Sequence, residues 1–563
     1  MNEGKLFLIL MLLFILIMQY TVIKNYSIHP IKSNTVIDIL KTSVKKYGDK
    51  PMLKVRTNNK WSNITYQQLY DNSLIMAKSL FAGEFQGHYI TVVGDNEPFV
   101  IYTLLGAMMA GCITTVIPSS SSGKYISQII DNNKSSLLIL ADVYKIASID
   151  YTNQIKLVLY IQGEQGDPSL PADFSLNKNF QIYDWIRFSM LGLNIDNIDH
   201  TMNKNNLVSL MYDEYLNQTP IYNYQIIENI KNIIKDFIKS KNILNITSNE
   251  KYISYMPLTN LTNQLYNLYL PLATGGTVYI TDNLAKYSSL IMNIQQIRPT
   301  ILVASVNSWE KINDELGDSY GIPLLDEQQL HNFGLDKLKY AVVIGTPVYK
   351  SLIDNLQKFG IYLCNVYSGN FGIVSMPFPH DNGYIKRPRS NMKYKIINNI
   401  IYLTTEDGEI ITGDFGTQKD ELLVVEGNMK YLLDINGKKI NPILIEKKIK
   451  EMSPVIDKVI ITGIDYLIAL ITFKVEYSNN EPTVMLTKKT RYILRDHGIK
   501  INTTLEVEQN KQCVAYLNNI LQTINVNSTN KIKKWIFLPN GITDLDINDK
   551  PNREDIKQKY SHS

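Results

Sequence analysis

Residues 88–118 read HYITVVGDNEPFVIYTLLGAMMAGCITTVIP, and this stretch decides the fold class. HYITVVG is a short continuous apolar run, the pattern of a strand buried on both faces. PFVIYTLLGAMMAG reads as an apolar helix closed by Gly111, since glycine tolerates the left-handed conformation that ends helices. CITTVIP is the next buried strand. Working outward, TVIDILKTSVKKYG (35–48) reads as a helix ending at Gly48. PMLKVR and WSNITY, joined by a turn at TNNK, read as a hairpin, and YQQLYDNSLIMAKSLFA returns to helical period. SSLLILAD, IKLVLYI, GTVYITD, TILVAS and YAVVIG are further short buried strands separated by helices. The succession predicts an α/β fold with largely parallel sheets covered on both faces.

Near residue 400 the texture changes. IIYLTT, EIITGDFG and ELLVVEG are close-set strands with acidic turns, as in an antiparallel unit. After Gly427 come KYLLDINGKKI, the helix ILIEKKIKEM, the strands DKVIITGI and LIALITFKV, and late helices. The expected organisation is therefore an N-terminal segment (1–29), a large domain of parallel-rich sheets with a small β-rich subdomain (30–427), and a smaller α+β C-terminal domain (428–563).

A chain of 563 residues exceeds one ordinary core, and its 45% hydrophobic content is that of a globular protein. The net charge of +4, with acids and bases mixed throughout, leaves no electrostatic footprint for nucleic acid. Cys112, Cys364 and Cys513 are odd in number and widely spaced, so no disulfide framework or zinc site follows. Leu6–Met18 is an unbroken apolar run that Gln19–Ile23 extends to roughly 18 residues, near the lower limit for a spanning helix. A signal peptide is the rival, but no small-residue cleavage site follows the run. An uncleaved anchor is the expectation. Lys24 and Lys32 after the run, against Glu3 and Lys5 before it, put the body on the cytoplasmic side.

Several short motifs then fall in one order: WSNITYQQLY, GDNEPFVIYTLLGAMMAGCITTVIP, SYMPLTNLTNQLYNLYLPLATGGTVYI, IRPTILVASVNSWEKI, VVIGTPVYKSLIDNLQKFGIYLCNVYSGNFG, ITGDFG, and INPILIEKKIK with LPNGITDLDINDKPNREDIKQKY. Their order over nearly the whole chain resembles the adenylate-forming (AMP-binding) superfamily. Within it, SYMPL, SWEKI and IEKKIK resemble the long-chain fatty acyl-CoA synthetases, bubblegum type. The resemblance implies two steps. ATP and a carboxylate give an acyl adenylate and pyrophosphate, then the C-terminal lid rotates and coenzyme A attacks. It also implies Mg²⁺ held by a carboxylate, a lysine at the developing negative charge, and an endoplasmic-reticulum-type membrane location.

Each implied part has a position here. The family's phosphate loop resembles Y-T-S-G-T-T-G-x-P-K-G, and it falls on the stretch 207–229, LVSLMYDEYLNQTPIYNYQIIEN, which contains no glycine. Tyr212 and Pro220 match. Tyr215, Gln218 and Tyr222 replace the glycines, Ile221 replaces the lysine, and Asp213 and Glu214 stand where hydroxyls would meet phosphate. The expectation is an ordinary loop joining strand to helix, not a phosphate cradle, because glycine gives backbone N–H groups their approach to phosphate. In YSGNF, Tyr367 either stacks on adenine or sits in the core. The metal glutamate position is Phe371, and no Asp or Glu occurs from Tyr367 to His380.

Gly345, Thr346 and Pro347 match the turn that lines adenine. Asp414, in Thr412-Gly413-Asp414, matches the aspartate that accepts from ribose hydroxyls. The hinge is Gly427-Asn428-Met429-Lys430, with Lys430 kept and the ribose-holding arginine replaced by Asn428. At the C-terminus Arg553 falls on the family's arginine and Lys550 on its catalytic lysine, with Asp546 and Asp549 in place of threonines. Asn260 stands at a common active-site histidine. The sequence thus sets an active long-chain fatty acid–CoA ligase against a membrane-anchored pseudoenzyme that binds an acyl chain, a nucleotide or an unidentified protein partner. Joint loss of the phosphate glycines, loop lysine, metal glutamate and hinge arginine favours the second, with AMP gripped better than ATP.

Overall fold

The computed structural model describes residues 32–57, 60–141, 148–149, 154–161, 180–198, 200–213, 216–239, 246–281, 287–320, 327–345, 348, 350–375, 393–405, 408–419, 422–478, 481–526, 531–542 and 553–560. Residues 6–23, Thr346, Pro347 and Lys550 lie outside the described residues. Among the described residues no helix is long and apolar enough to cross a membrane. The chain divides into two compact units, residues 1–280 and 281–563.

In the first unit the helix Val36–Tyr47 begins at Thr35, whose hydroxyl accepts from the Asp38 N–H at 3.0 Å, and ends at Gly48 as expected. β1 (Pro51–Thr57) and β2 (Lys60–Thr65) form the expected antiparallel hairpin. Thr65 then opens the helix Tyr66–Ala82 through a reciprocal capping box with Gln68. The decisive stretch gives β3 (Tyr89–Val93), the helix Pro98–Ala110 and β4 (Ile113–Ile117), with β3 and β4 parallel. That helix is apolar all round because nearly every residue of it is buried. Gly111 closes it at φ +74°, and a Cβ there would meet the His200 ring at 2.8 Å.

β5 (Leu137–Leu140), β6 (Leu157–Tyr160), β7 (Gln181–Asp184), β8 (Leu207–Tyr212) and β9 (Gln218–Tyr222) complete a seven-stranded sheet in the order β7-β6-β5-β3-β4-β8-β9. All its neighbours are parallel except β8 and β9. β10 (Lys251–Ser254) and β11 (Thr277–Ile280) run parallel, and β11 runs parallel to β1. Between β10 and β11 a helical segment, Leu261–Thr274, buried at every residue but Ala273, contains one π turn at Leu265–Tyr269.

In the second unit β12 (Ile301–Ser305), β13 (Tyr340–Ile344) and β14 (Leu363–Gly369) are parallel, and β15 (Gly372–Ser375) returns antiparallel to β14. The fully buried Trp309 donates its indole N–H to the Val342 carbonyl at 3.0 Å. β16 (Lys393–Ile397), β17 (Ile400–Thr405), β18 (Gly408–Lys419) and β19 (Leu422–Asn428) form the expected antiparallel meander. β20 (Leu433–Ile435) and β21 (Lys438–Ile440) then precede the helix Pro442–Met452. β22 (Ile456–Thr462) and β23 (Leu467–Phe473) pair antiparallel. β24 (Val475–Ser478) and β25 (Glu481–Leu486) form a short pair, and β26 (Ile532–Phe537) runs parallel to β23. These later elements share their own apolar core, from Leu433 to Phe537. Two ion pairs fasten them to the helix Val306–Tyr320: Lys450 bonds both Glu310 oxygens at 2.8 Å, and Lys474 bonds Asp314 at 2.6 Å.

Candidate functional site

The glycine-free stretch is a hairpin. Leu210 pairs with Pro220 and Tyr212 with Gln218, so the chain reverses between residues 213 and 217 before the helix Asn223–Lys239 begins. The expected connection ran from strand straight to helix. β9 is an additional strand, and Pro220 is tolerated because β9 is the sheet's edge. Asp213 closes the turn. Its Oδ1 accepts from the Asn217 backbone N–H and its Oδ2 from the Asn217 amide, both at 2.9 Å. The Asp213 N–H donates to the Asn217 carbonyl at 3.2 Å, and the Tyr125 hydroxyl donates to the Asp213 carbonyl at 3.0 Å. Leu216 holds the left-handed position at φ +63° that a glycine would take without strain.

In the second unit the structure brings Tyr367, Asp414 and Asn428 together. Tyr367 is 3% exposed and packs with Val374, Ile401 and Leu403, while its hydroxyl donates to Asp414 Oδ2 at 2.6 Å. Burial first, then the Asp414 charge, pushes the Tyr367 hydroxyl's pKa far above its ordinary range. Asn428, directly across the ladder from Asp414, donates its amide to Oδ1 at 2.7 Å. Its own Oδ1 accepts from the Lys430 N–H at 3.0 Å. Lys430 is exposed, and its Nζ lies 4.8 Å from the Tyr431 ring centroid. Gly345 ends β13 in the left-handed region at φ +89°, with open space where a Cβ would stand.

The donor set expected for Mg²⁺ does not fit. Phe371, at the glutamate position, packs its ring 5.9 Å from Tyr367 and joins the same apolar cluster. Among the described residues no group of three His, Cys, Asp or Glu could hold a metal ion. Oxygen ligands are what a hard cation requires, and Phe371 offers none.

Arg553 is a brace. Its guanidinium bonds Glu446 Oε2 at 2.8 Å and the Ile461 carbonyl at 3.3 Å, while Glu446 Oε1 accepts from the Ile461 N–H at 2.8 Å. Asn260 starts the buried helix by accepting from the Asn263 N–H at 2.9 Å.

The first unit holds a further polar cluster. The chain leaves β3 for β4 on one side and β5 for β6 on the other, so the carboxyl ends of β3 and β5 flank a topological switch point. There Asp95 accepts from the Ser119 N–H at 3.0 Å and from its hydroxyl. Asn96 is buried with both amide atoms unpartnered. Burial, then the Asp95 charge, pushes the Glu97 carboxyl up to about 7. The GDNEP stretch was the signal, since polar residues interrupt an otherwise apolar run.

The family model for AMP-binding enzymes matches residues 40–212 and ends on the last residue of β8. This part of the chain is an AMP-binding enzyme domain. The whole chain is 23% identical to the long-chain-fatty-acid–CoA ligase ACSBG2 of Homo sapiens, over 93% of this chain and 91% of that one. It is 23% identical to the long-chain-fatty-acid–CoA ligase ACSBG1 of the same species, over 90% and 80%. Among solved structures it resembles the anthranilate CoA ligase AuaEII in complex with anthranoyl-AMP, at TM-score 0.69 and 12% identity, over 93% of this chain and 97% of that one. It also resembles the adenylation domain of the carboxylic acid reductase from Segniliparus rugosus, in complex with AMP and a carboxylic acid, at TM-score 0.69 and 14% identity, over 94% and 93%. The fold is the adenylate-forming α/β fold, and the chain is long-chain-fatty-acid–CoA ligase-like.

Proposed function

We propose that this chain is a ligase-like protein that does not activate ATP and keeps its scaffold to hold a fatty acyl chain or a nucleoside monophosphate. The reading extends to a membrane location through residues 6–23 with the body on the cytoplasmic side. One observation carries it: at the phosphate-loop position the chain makes a tight turn in which Asp213 is bonded to Asn217 through both oxygens. A triphosphate needs converging backbone N–H groups, and this turn gives the Asp213 and Leu216 N–H groups to its own carbonyls. Phe371 at the metal position supports the same reading.

The second reading, an active long-chain fatty acid–CoA ligase using Mg-ATP and coenzyme A, is favoured by the names of the relatives at 21–23% identity. Turnover separates the two. With the full chain, Mg-ATP, oleate and coenzyme A, the proposal expects no AMP release and measurable calorimetric binding of oleate or AMP. AMP release that Lys550→Ala abolishes would establish the ligase instead. Silence in turnover with no binding of either ligand would defeat both readings.

A further inference from the structure

The proposed nucleoside site rests on Asp414, and the structure shows that carboxylate already engaged. Tyr367 approaches from the buried cluster beneath it and takes Oδ2. Asn428 takes Oδ1 from across the β18–β19 ladder, where the register sets residues 414 and 428 opposite each other. Directly opposed residues on one face of a ladder are in reach of one another, so the residue at 428 decides what faces Asp414. Gly413 serves the backbone there: its φ of +73° carries the turn, while a Cβ would make only an ordinary 3.5 Å contact with the Asn428 amide. The far end of Asn428 is held as well, by the Lys430 N–H. The amide therefore bridges two fixed points and keeps its position with no ligand present.

We infer that Asn428 is a built-in competitor for the Asp414 carboxylate and sets the nucleotide affinity of this site. A vicinal diol such as a ribose accepts no help from Asn428. To donate to Oδ1 it competes with the amide, because Tyr367 is anchored in the core and holds Oδ2. This deepens the nucleoside part of the proposed function and rests on it. Loss of a ligand-holding side chain at 428 would leave the carboxylate open. Asparagine instead closes it, so a diol brings no advantage in the intact chain.

The test titrates AMP and 2′,3′-dideoxy-AMP into the full chain, into Asn428→Ser and into the double variant Asn428→Ser with Asp414→Asn. Serine keeps an oxygen for the Lys430 N–H, so the local turn survives, but it is too short to reach Asp414. The intact chain is expected to bind both nucleotides alike. In N428S, AMP tightens about tenfold, the factor carried by 1.4 kcal/mol, while dideoxy-AMP stays unchanged. The double variant with D414N loses that preference. A merely structural role for Asn428 would shift both nucleotides together. The inference is overturned if the intact chain already prefers AMP tenfold, or if N428S moves neither nucleotide. It is also overturned if no variant binds either one. In that last case the nucleoside reading falls with it, and oleate binding then reports separately on the acyl reading.

Discussion

Replacing Asp213 by asparagine separates a closed turn from a phosphate site spoiled by one charge. A carboxylate about 4 Å from a phosphate oxygen costs on the order of 4 kcal/mol at an effective dielectric near 20. That energy is a factor of about 10³ in affinity. If the charge alone kept a triphosphate out, D213N would tighten Mg-ATP binding by that factor. The structure leads to a different outcome. Both carboxylate oxygens serve Asn217, the Leu216 N–H is spent on the Asp213 carbonyl, and no glycine occurs from 207 to 229. Neutralising Asp213 uncovers no cradle, so ATP affinity stays within about tenfold of its starting value. What changes is the turn. An asparagine replaces one acceptor oxygen with a donor and weakens the pair at an exposed site, at a cost of about 1 kcal/mol. A chain of two units does not unfold in one step, so the assay is local: hydrogen exchange of the Asn217 amide quickens by about fivefold, alongside calorimetry with Mg-ATP. A hundredfold gain in ATP affinity with unchanged exchange would refute the reasoning.

Three other perturbations follow from the same geometry. Arg553→Ala leaves Glu446, a side chain only 11% exposed, without its cation, and costs the C-terminal elements about 3 kcal/mol; urea unfolding followed through Trp535 reads it. Lys450→Met strands Glu310 on the helix Val306–Tyr320 and costs about 2 kcal/mol, between the limits for exposed and buried pairs. Because Lys474 still holds Asp314, a double-mutant cycle against Lys474→Met gives a coupling between the two pairs. The third is a pH effect at Glu97. Its carboxyl rises from an ordinary 4.5 to about 7, so its contribution to stability is full below pH 4.5 and is lost as pH climbs through 7. Glu97→Gln removes that loss, stabilising the first unit by up to about 3 kcal/mol at pH 8 and leaving it unchanged at pH 4. Equal effects at both pH values would exclude a titrating Glu97.

The parts of the fold that were legible are those whose cause is local. The helix Tyr66–Ala82 declares itself by period and by the Thr65–Gln68 box, and the helix Pro98–Ala110 by the glycine that ends it. β9 was not legible, because QTPIY carries a proline that argues against a strand until its edge position is known. The site is a matter of distance along the chain. Tyr367 and Asp414 lie 47 residues apart, and Asn428 reaches Asp414 only through the register of β18 and β19. A missing glutamate at Phe371 can be read from a motif. That Phe371 packs on Tyr367 cannot, since packing is set by the meander beneath it. Arg553 shows the converse. Its match to a motif names no partner, and Glu446 claims it from 107 residues away. A signal was present in Glu446 itself, a carboxylate on the same buried helix face as Pro442 and Ile449.

Two altered positions and one retained one share a physical property that bears on what the protein does without ATP. Asp213 is bonded within its turn, Phe371 is packed in an apolar cluster, and Asp414 is held by Tyr367 and Asn428. A site that waits for a charged ligand carries polar groups whose needs the ligand meets, and ligand binding then adds RT ln(1 + [L]/Kd) to stability. Here the chain meets those needs itself. The resting state gains the hydrogen bonds that a bound nucleotide would otherwise supply, so the free-energy gain left for a nucleotide is small. Thermal unfolding with 5 mM Mg-ATP, ~5 mM being a saturating excess over any micromolar site, is therefore expected to match unfolding without it. A rise corresponding to more than about 3 kcal/mol, the stabilisation at a few hundred times Kd, would mean that the turn opens to a tight nucleotide site after all.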